Sequence, residues 1–172
     1  MSELIPIRCV VGDATLPATT GLAIIAHICN DIGGWGAGFV LALSKRWKQP
    51  ELQYRQWHKE GVSCTPPFAL GEVQFVRVSE TITVANMIGQ HGIRATAKLP
   101  PIRYEAVDQA LSRVGDEALQ TGASVHMPRI GCGLAGGAWV RIEPLILSRL
   151  SNRGIAAIVY DFGSPPQEIS KP

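Results

Sequence analysis

The chain has 172 residues, 46% hydrophobic and 17% charged, a balance that excludes disorder and low complexity and predicts one domain with a sizeable core. Sixteen basic residues stand against 14 acidic ones, giving a net charge of +2. That excess is too small for a mainly electrostatic nucleic-acid binder, so no direct nucleic-acid binding is expected.

In chain order, residues 5–11 and 22–29 are short β-branched runs that predict strands. Phe39, Val40, Leu43 and Trp47 recur at helical spacing after a glycine run, predicting a helix over 39–47. Pro50 opens a second helix that ends near Gly61. Residues 71–78 and 81–88 predict two strands joined tightly through Ser79 and Glu80. Residues 104–121 place Val107, Leu111, Val114 and Ala118 on one helical face, with Gly122 as the stop. A strand over 124–130, a helix over 142–153 stopped by Gly154, and a buried strand over 155–162 follow. The segment 163–172 is expected to be a flexible tail. Strands alternating with helices imply a largely parallel or mixed sheet covered on both faces. Ligands of such sheets sit beyond the carboxyl ends of the strands.

The four cysteines, Cys9, Cys29, Cys64 and Cys132, form no CxxC clamp, so no metal and no cofactor are expected. The N-terminus lacks the pattern of a signal peptide, and no stretch approaches the roughly 20 apolar residues of a membrane helix. A cytoplasmic, reduced location without membrane contact is the expectation.

Two glycine runs fall between a strand and a helix. The first is Gly33, Gly34, Trp35, Gly36, Ala37 and Gly38. The second is Gly131, Cys132, Gly133, Leu134, Ala135, Gly136 and Gly137. Strand, glycine loop, helix presents backbone N–H groups and a helix N-terminus to an anion, and glycine lets the backbone approach phosphate oxygens closely. Two such loops at one sheet edge predict a clamp on a diphosphate. Gly131, Gly133 and Gly136 also spell a dinucleotide fingerprint, but that motif belongs in a first βαβ unit, whereas one helix and one strand follow it here. Trp35, a large aromatic among glycines, is expected to wall the pocket; Trp47, Trp57 and Trp139 are expected to pack in the core or between helices. Other polar groups admit two readings. Asp13 is a turn residue after a strand or a ligand contact; His27 and Asn30 are satisfied groups of a buried strand end or site residues; Phe162 is plain core or a ligand-facing ring.

Val11-Gly12-Asp13, His27-Ile28-Cys29-Asn30, the first glycine loop, the run Pro128-Arg129-Ile130-Gly131-Cys132-Gly133-Leu134 and the closing Val159-Tyr160-Asp161-Phe162 together resemble the macrodomain family. The likeness covers roughly residues 7–162, so 1–162 is expected to form a single macrodomain. It implies an α/β class, a three-layer α/β/α fold on a central mixed, mostly parallel sheet of about six strands. The HxCN and GxWGxGF pieces resemble the ADP-ribose 1''-phosphate phosphatase branch. MPRIGCGL resembles the terminal ADP-ribose protein glycohydrolase branch, and ANMIGQHG resembles small bacterial macrodomains.

The resemblance implies ADP-ribose and mono-ADP-ribosylated proteins as partners. Asp13 would accept the adenine amine and Phe162 would lie against the adenine ring. Gly36, Ala37 and Gly38 would hold one side of the diphosphate and residues 131–137 the other, while Asn30 would bind the distal ribose. The sequence also departs from the glycohydrolase pattern. Gln90 stands where that branch has a nucleophilic lysine, and Ala135 where it has an aspartate, so neither can do the original chemistry. Attack by a held water is expected instead, with Gln90, Asn30 and His27 as catalytic candidates and His91 as a further orienting group. The expected activity is removal of mono-ADP-ribose from Glu and Asp side chains, by a monomer. The alternatives are an ADP-ribose 1''-phosphate phosphatase and a non-catalytic reader; the missing lysine and aspartate favour the reader, whereas the shortness of the chain favours an enzyme.

Overall fold

A computed structural model describes residues 3–96 and 98–162; the tail expected over 163–172 lies outside the described residues. Six strands form one sheet in the order β1-β6-β5-β2-β4-β3. They are β1 (Arg8–Val11), β2 (Ala23–Asn30), β3 (Val73–Arg77), β4 (Ile82–Gln90), β5 (Ser124–Pro128) and β6 (Ala157–Asp161). All neighbours pair in parallel except β3, which runs antiparallel to β4. This is the mixed sheet expected.

Four helices cover the two faces: α1 (Phe39–Arg46), α2 (Gln49–Glu60), α3 (Tyr104–Thr121) and α4 (Trp139–Arg149). Alternation along β2 assigns the layers. Ile24 and Ala26 join the core beneath α3 and α4, whereas Ile25 and Cys29 join the core beneath α1 and α2. Gly122 ends α3 in the left-handed conformation, φ 76°, which glycine adopts without strain.

The strands expected over 71–78, 124–130 and 155–162 are each trimmed at their ends, α4 stops at Arg149 rather than 153, and two further boundaries differ for visible reasons. Helix α4 begins at Trp139 rather than 142, because Ala138 O receives the amides of Arg141 and Ile142 directly after the glycine loop. The first strand is shorter than 5–11, since Ile5 N is drawn to Ser151 O instead of a strand partner.

Candidate functional site

Three cavities of about 320, 290 and 440 Å³ run together along the carboxyl ends of the strands. Gly38, Phe39 and Pro128 line both the first and the second, and Ala37, Val40, Gln90 and Leu134 line both the second and the third. The cleft is therefore continuous. Each chamber has its own chemistry.

The first chamber is largely apolar and includes Gly12, Asp13, Ala14, Phe39, Tyr160 and Phe162. Phe162 is 88% exposed among the described residues, so it is not core. Asp13 Oδ1 accepts from Thr15 N at 2.9 Å and Thr15 Oγ1 at 2.7 Å, and Arg46 reaches Oδ2 at 3.3 Å. Burial raises the Asp13 carboxyl, but the Thr15 and Arg46 bonds outweigh it and leave the group below its ordinary value, hence ionised. The Tyr160 hydroxyl accepts from Ala18 N at 3.0 Å and lies 2.7 Å from His126 Nδ1. Burial and the nearby Arg8 push His126 down to about 4.

The second chamber lies between the glycine loops. A Cβ at Gly36 or at Gly133 would meet nothing within 4 Å, so both positions are open. A Cβ at Gly38 would lie 3.5 Å from Leu134 Cδ1; the loops nearly close over the cleft there. Helix α1 starts at this chamber, with Phe39 and Val40 in its lining and with no side-chain cap and no acidic residue in its first turn; α4 begins four residues past Ala135, the last lining residue of the second loop. The uncapped N-terminus and positive dipole end of α1 suit an anion. Gly131 and Gly136 sit at φ 72° and 74°, and Gly137 N donates to Gly131 O at 2.7 Å. Ala135 is buried and holds Ile102 N through its carbonyl at 3.0 Å. Cys132 is half-buried, and burial raises its thiol against the pull of Arg129. Beneath the loop, Arg129 makes a two-pronged pair with Asp161 and stacks 4.6 Å from the Trp139 ring centre.

The third chamber is lined by Asn30, Gly34, Trp35, Gln90 and Ile93, among others. A register slip between Cys29 and Asn30 brings Asn30 opposite Gln90. Asn30 Oδ1 accepts from Ile32 N (3.1 Å) and Gly34 N (2.9 Å), while Nδ2 donates to Gly34 O (2.9 Å); the Tyr54 hydroxyl donates to the Asn30 carbonyl oxygen at 2.6 Å, with Oδ1 3.0 Å away. Asn30 thus shapes the first loop, and one hydrogen of Nδ2 remains for a ligand. Gln90 donates one amide hydrogen to Gly92 O at 2.9 Å. Trp35 is both wall and core: it lines the chamber, is 4% exposed, and donates from Nε1 to Ser44 Oγ at 2.8 Å. Trp57 is buried as expected, donating to Pro66 O at 2.8 Å.

His27 is 1% exposed and forms part of the floor of the second chamber. Asn86 spends its amide hydrogens on Pro50 O and Gln74 Oε1, so its Oδ1 accepts a proton from His27 Nε2 at 2.5 Å. Burial, only partly offset by that bond, drives the imidazole down to about 4. His27 is neutral and its Nε2 proton is committed. Sequence reasoning missed Asp31, which accepts from Gly92 N at 2.8 Å and lies 2.7 Å from His91 Nδ1; its place beside Asn30 is the one local signal. Among the described residues no cluster of three or more His, Cys, Asp or Glu is arranged to hold a metal, and no helix is long and apolar enough to cross a membrane.

A central mixed sheet with glycine loops at its carboxyl edge defines an α/β/α ligand-binding domain. The structure resembles a macrodomain protein from Streptomyces coelicolor at 56% sequence identity and a TM-score of 0.82, over 92% of this chain and 100% of that one. The chain belongs to the macrodomain family. It is also 35% identical over 168 residues to chromodomain-helicase-DNA-binding protein 1-like of Danio rerio, across 92% of this chain. The chain spans only 16% of that protein's length and 19% of its Mus musculus counterpart. At 16% identity and a TM-score of 0.64, over 87% of this chain and 39% of the other, the fold is shared with Thermosipho africanus DarTG, solved in complex with ADP-ribose. No family model matches the chain.

Proposed function

We propose that the cleft binds ADP-ribose and that the protein hydrolyses mono-ADP-ribose from glutamate and aspartate side chains of modified proteins. The observation that carries this reading is the order of the chambers: an apolar pocket, a waist of open glycines beside the N-terminus of α1, and a polar end. Adenine, diphosphate and distal ribose follow one another in the same order. Asp13 and Phe162 take the adenine. Gly36, Ala37 and Gly38 face the diphosphate from one side, and the loop from Gly131 to Gly137 wraps the other. The free Nδ2 hydrogen of Asn30 and the amide of Gln90 take the distal ribose.

Gln90 is no amine nucleophile and Ala135 has nothing to ionise, so the chemistry is attack by water on the anomeric carbon. A new C–O bond forms from the water oxygen. The bond from the anomeric carbon to the modified side chain breaks, and its electron pair leaves with the carboxylate, which needs little acid help. Gln90 and Asn30 orient the water and ribose, and His27 stiffens the floor beneath them.

The test is incubation with a glutamate-ADP-ribosylated protein beside a serine-linked one and free ADP-ribose 1''-phosphate. Free ADP-ribose from the first substrate, far faster than from the second, is expected. Phosphate release from the third alone would make the protein a phosphatase. Tight binding with no turnover would make it a reader, and either result overturns the hydrolase reading.

A further inference from the structure

We infer that His91, held by Asp31, accepts the proton of the attacking water; the inference rests on the hydrolase reading above. The strands β2 and β4 end side by side, and Asp31 N donates to Gln90 O at 3.0 Å just beyond them. Asp31 then reaches across: Oδ1 accepts from Gly92 N at 2.8 Å, and Oδ2 lies 2.7 Å from His91 Nδ1. The His91 amide is fixed as well, on Pro101 O at 2.8 Å. A side chain that is 61% exposed is thereby anchored at both backbone and ring. A hydrogen-bonded pair with so exposed a ring contributes little to folding, so its use lies in orientation.

The location suits that use. His91 stands between Gln90 and Ile93, which both line the third chamber, and Asp31 follows Asn30, which lines it too. Neither His91 nor Asp31 is itself in that lining, so the pair stands beside the ribose end, flanked in the chain by residues that form it. A carboxylate facing Nδ1 fixes the tautomer: Nδ1 carries the hydrogen and donates it, and the lone pair of Nε2 is left bare. Among the described residues Nε2 has no hydrogen-bond partner. His27 and His126 are spent on buried bonds and cannot serve.

In the step itself the water oxygen bonds to the anomeric carbon as its proton passes to His91 Nε2. The ester C–O bond breaks and its electrons leave with the glutamate or aspartate carboxylate. The imidazolium, stabilised by Asp31, returns its proton to solvent. A base without a partnering acid favours carboxylate leaving groups over alkoxides, which agrees with the proposed linkage preference.

The experiment compares wild type with His91→Ala and Asp31→Asn, in the full chain, on glutamate-ADP-ribosylated protein, with ADP-ribose affinity measured in parallel. His91→Ala should lower kcat about 100- to 10,000-fold, the usual span for losing a general base, while ADP-ribose affinity moves less than about threefold. Added imidazole should restore part of the lost rate, because the emptied position is open to solvent; a merely structural role would not respond. Asp31→Asn should lower kcat at least about tenfold, by turning the ring to the wrong tautomer. An active wild type with unchanged kcat in His91→Ala overturns the inference and leaves the substrate's own diphosphate as the proton acceptor. Parallel loss of affinity and rate, without rescue, overturns it too, making His91 a binding residue. A wild type that binds ADP-ribose but turns over no glutamate-linked substrate removes the hydrolase reading, and this inference with it.

Discussion

The two glycine loops do one task by opposite constructions. The first, between β2 and α1, is shaped from outside: the Asn30 side chain bonds to Ile32 and Gly34, Arg55 reaches Gly33 O at 3.1 Å, and Tyr54 braces Asn30 from helix α2. The second, between β5 and α4, is shaped by its own backbone, through Gly136 N to Gly133 O and Gly137 N to Gly131 O, with glycines at positive φ. In both, the fold does not require glycine at one position: Gly36 and Gly133 have open space where a Cβ would be and no left-handed φ. The lesson is that a glycine's role is read from its surroundings. Those the fold requires and those a ligand requires are different residues of the same loop.

The sharpest break of that contrast is Gly36→Val or Gly133→Val. Each should leave the melting temperature nearly unchanged yet weaken ADP-ribose binding about 100-fold or more, since the new side chain fills the space of the phosphate oxygens. Equal affinity would remove the clamp. Gly137→Ala should do the reverse, because its Cβ would run into Gly131 O: a loss of about 3 kcal/mol in stability by chemical denaturation is expected for a backbone clash of this kind. Asn30→Ala frees the Ile32 and Gly34 amides and should cost about 2 kcal/mol, with faster hydrogen exchange confined to the first loop. Gln90→Ala should slow turnover more than it weakens binding, by about 10- to 1000-fold in kcat, as for an orienting donor.

Acidification acts on the whole fold rather than on either loop. His27 and His126 are held neutral, with values near 4 against an ordinary 6.5, so the unfolded chain binds more protons between those values. Their contribution is intact above about pH 6.5 and is lost as pH falls toward 4. The expected slope for His27 is on the order of 1.4 kcal/mol per pH unit. His27→Gln should flatten a plot of stability against pH in that window; an unchanged slope would mean that His27 charges freely in the folded protein.

Much of this was legible in the sequence, for local reasons. Helix α3 follows from its apolar spacing and its terminal Gly122, and the second loop announces itself because its turns need glycines close together. What stayed hidden depends on residues far apart in the chain. Asn30 reads simply as a ribose ligand; that Tyr54, 24 positions on, braces it and that loop amides hold its oxygen, leaving one Nδ2 hydrogen for the ribose, is seen only in the fold. The start of α4 depends on Tyr104, whose hydroxyl receives Ala138 N at 3.0 Å. Trp35 looked like a wall with little core to fill, but Tyr54 packs 5.3 Å from its ring centre. The Asp31–His91 pair spans 60 positions and has no local signature.

The central claim is that both loops close on one diphosphate, and backbone amide resonances test it most directly. Titration of ADP-ribose into the isotope-labelled protein should shift the amides of Gly36, Ala37 and Gly38 together with those of Gly131 and Gly133. The shifts should saturate at one equivalent and persist in the presence of a chelator, since the N-terminus of α1 and the loop amides neutralise the phosphates. Shifts confined to one loop, or shifts abolished by the chelator, would contradict the account.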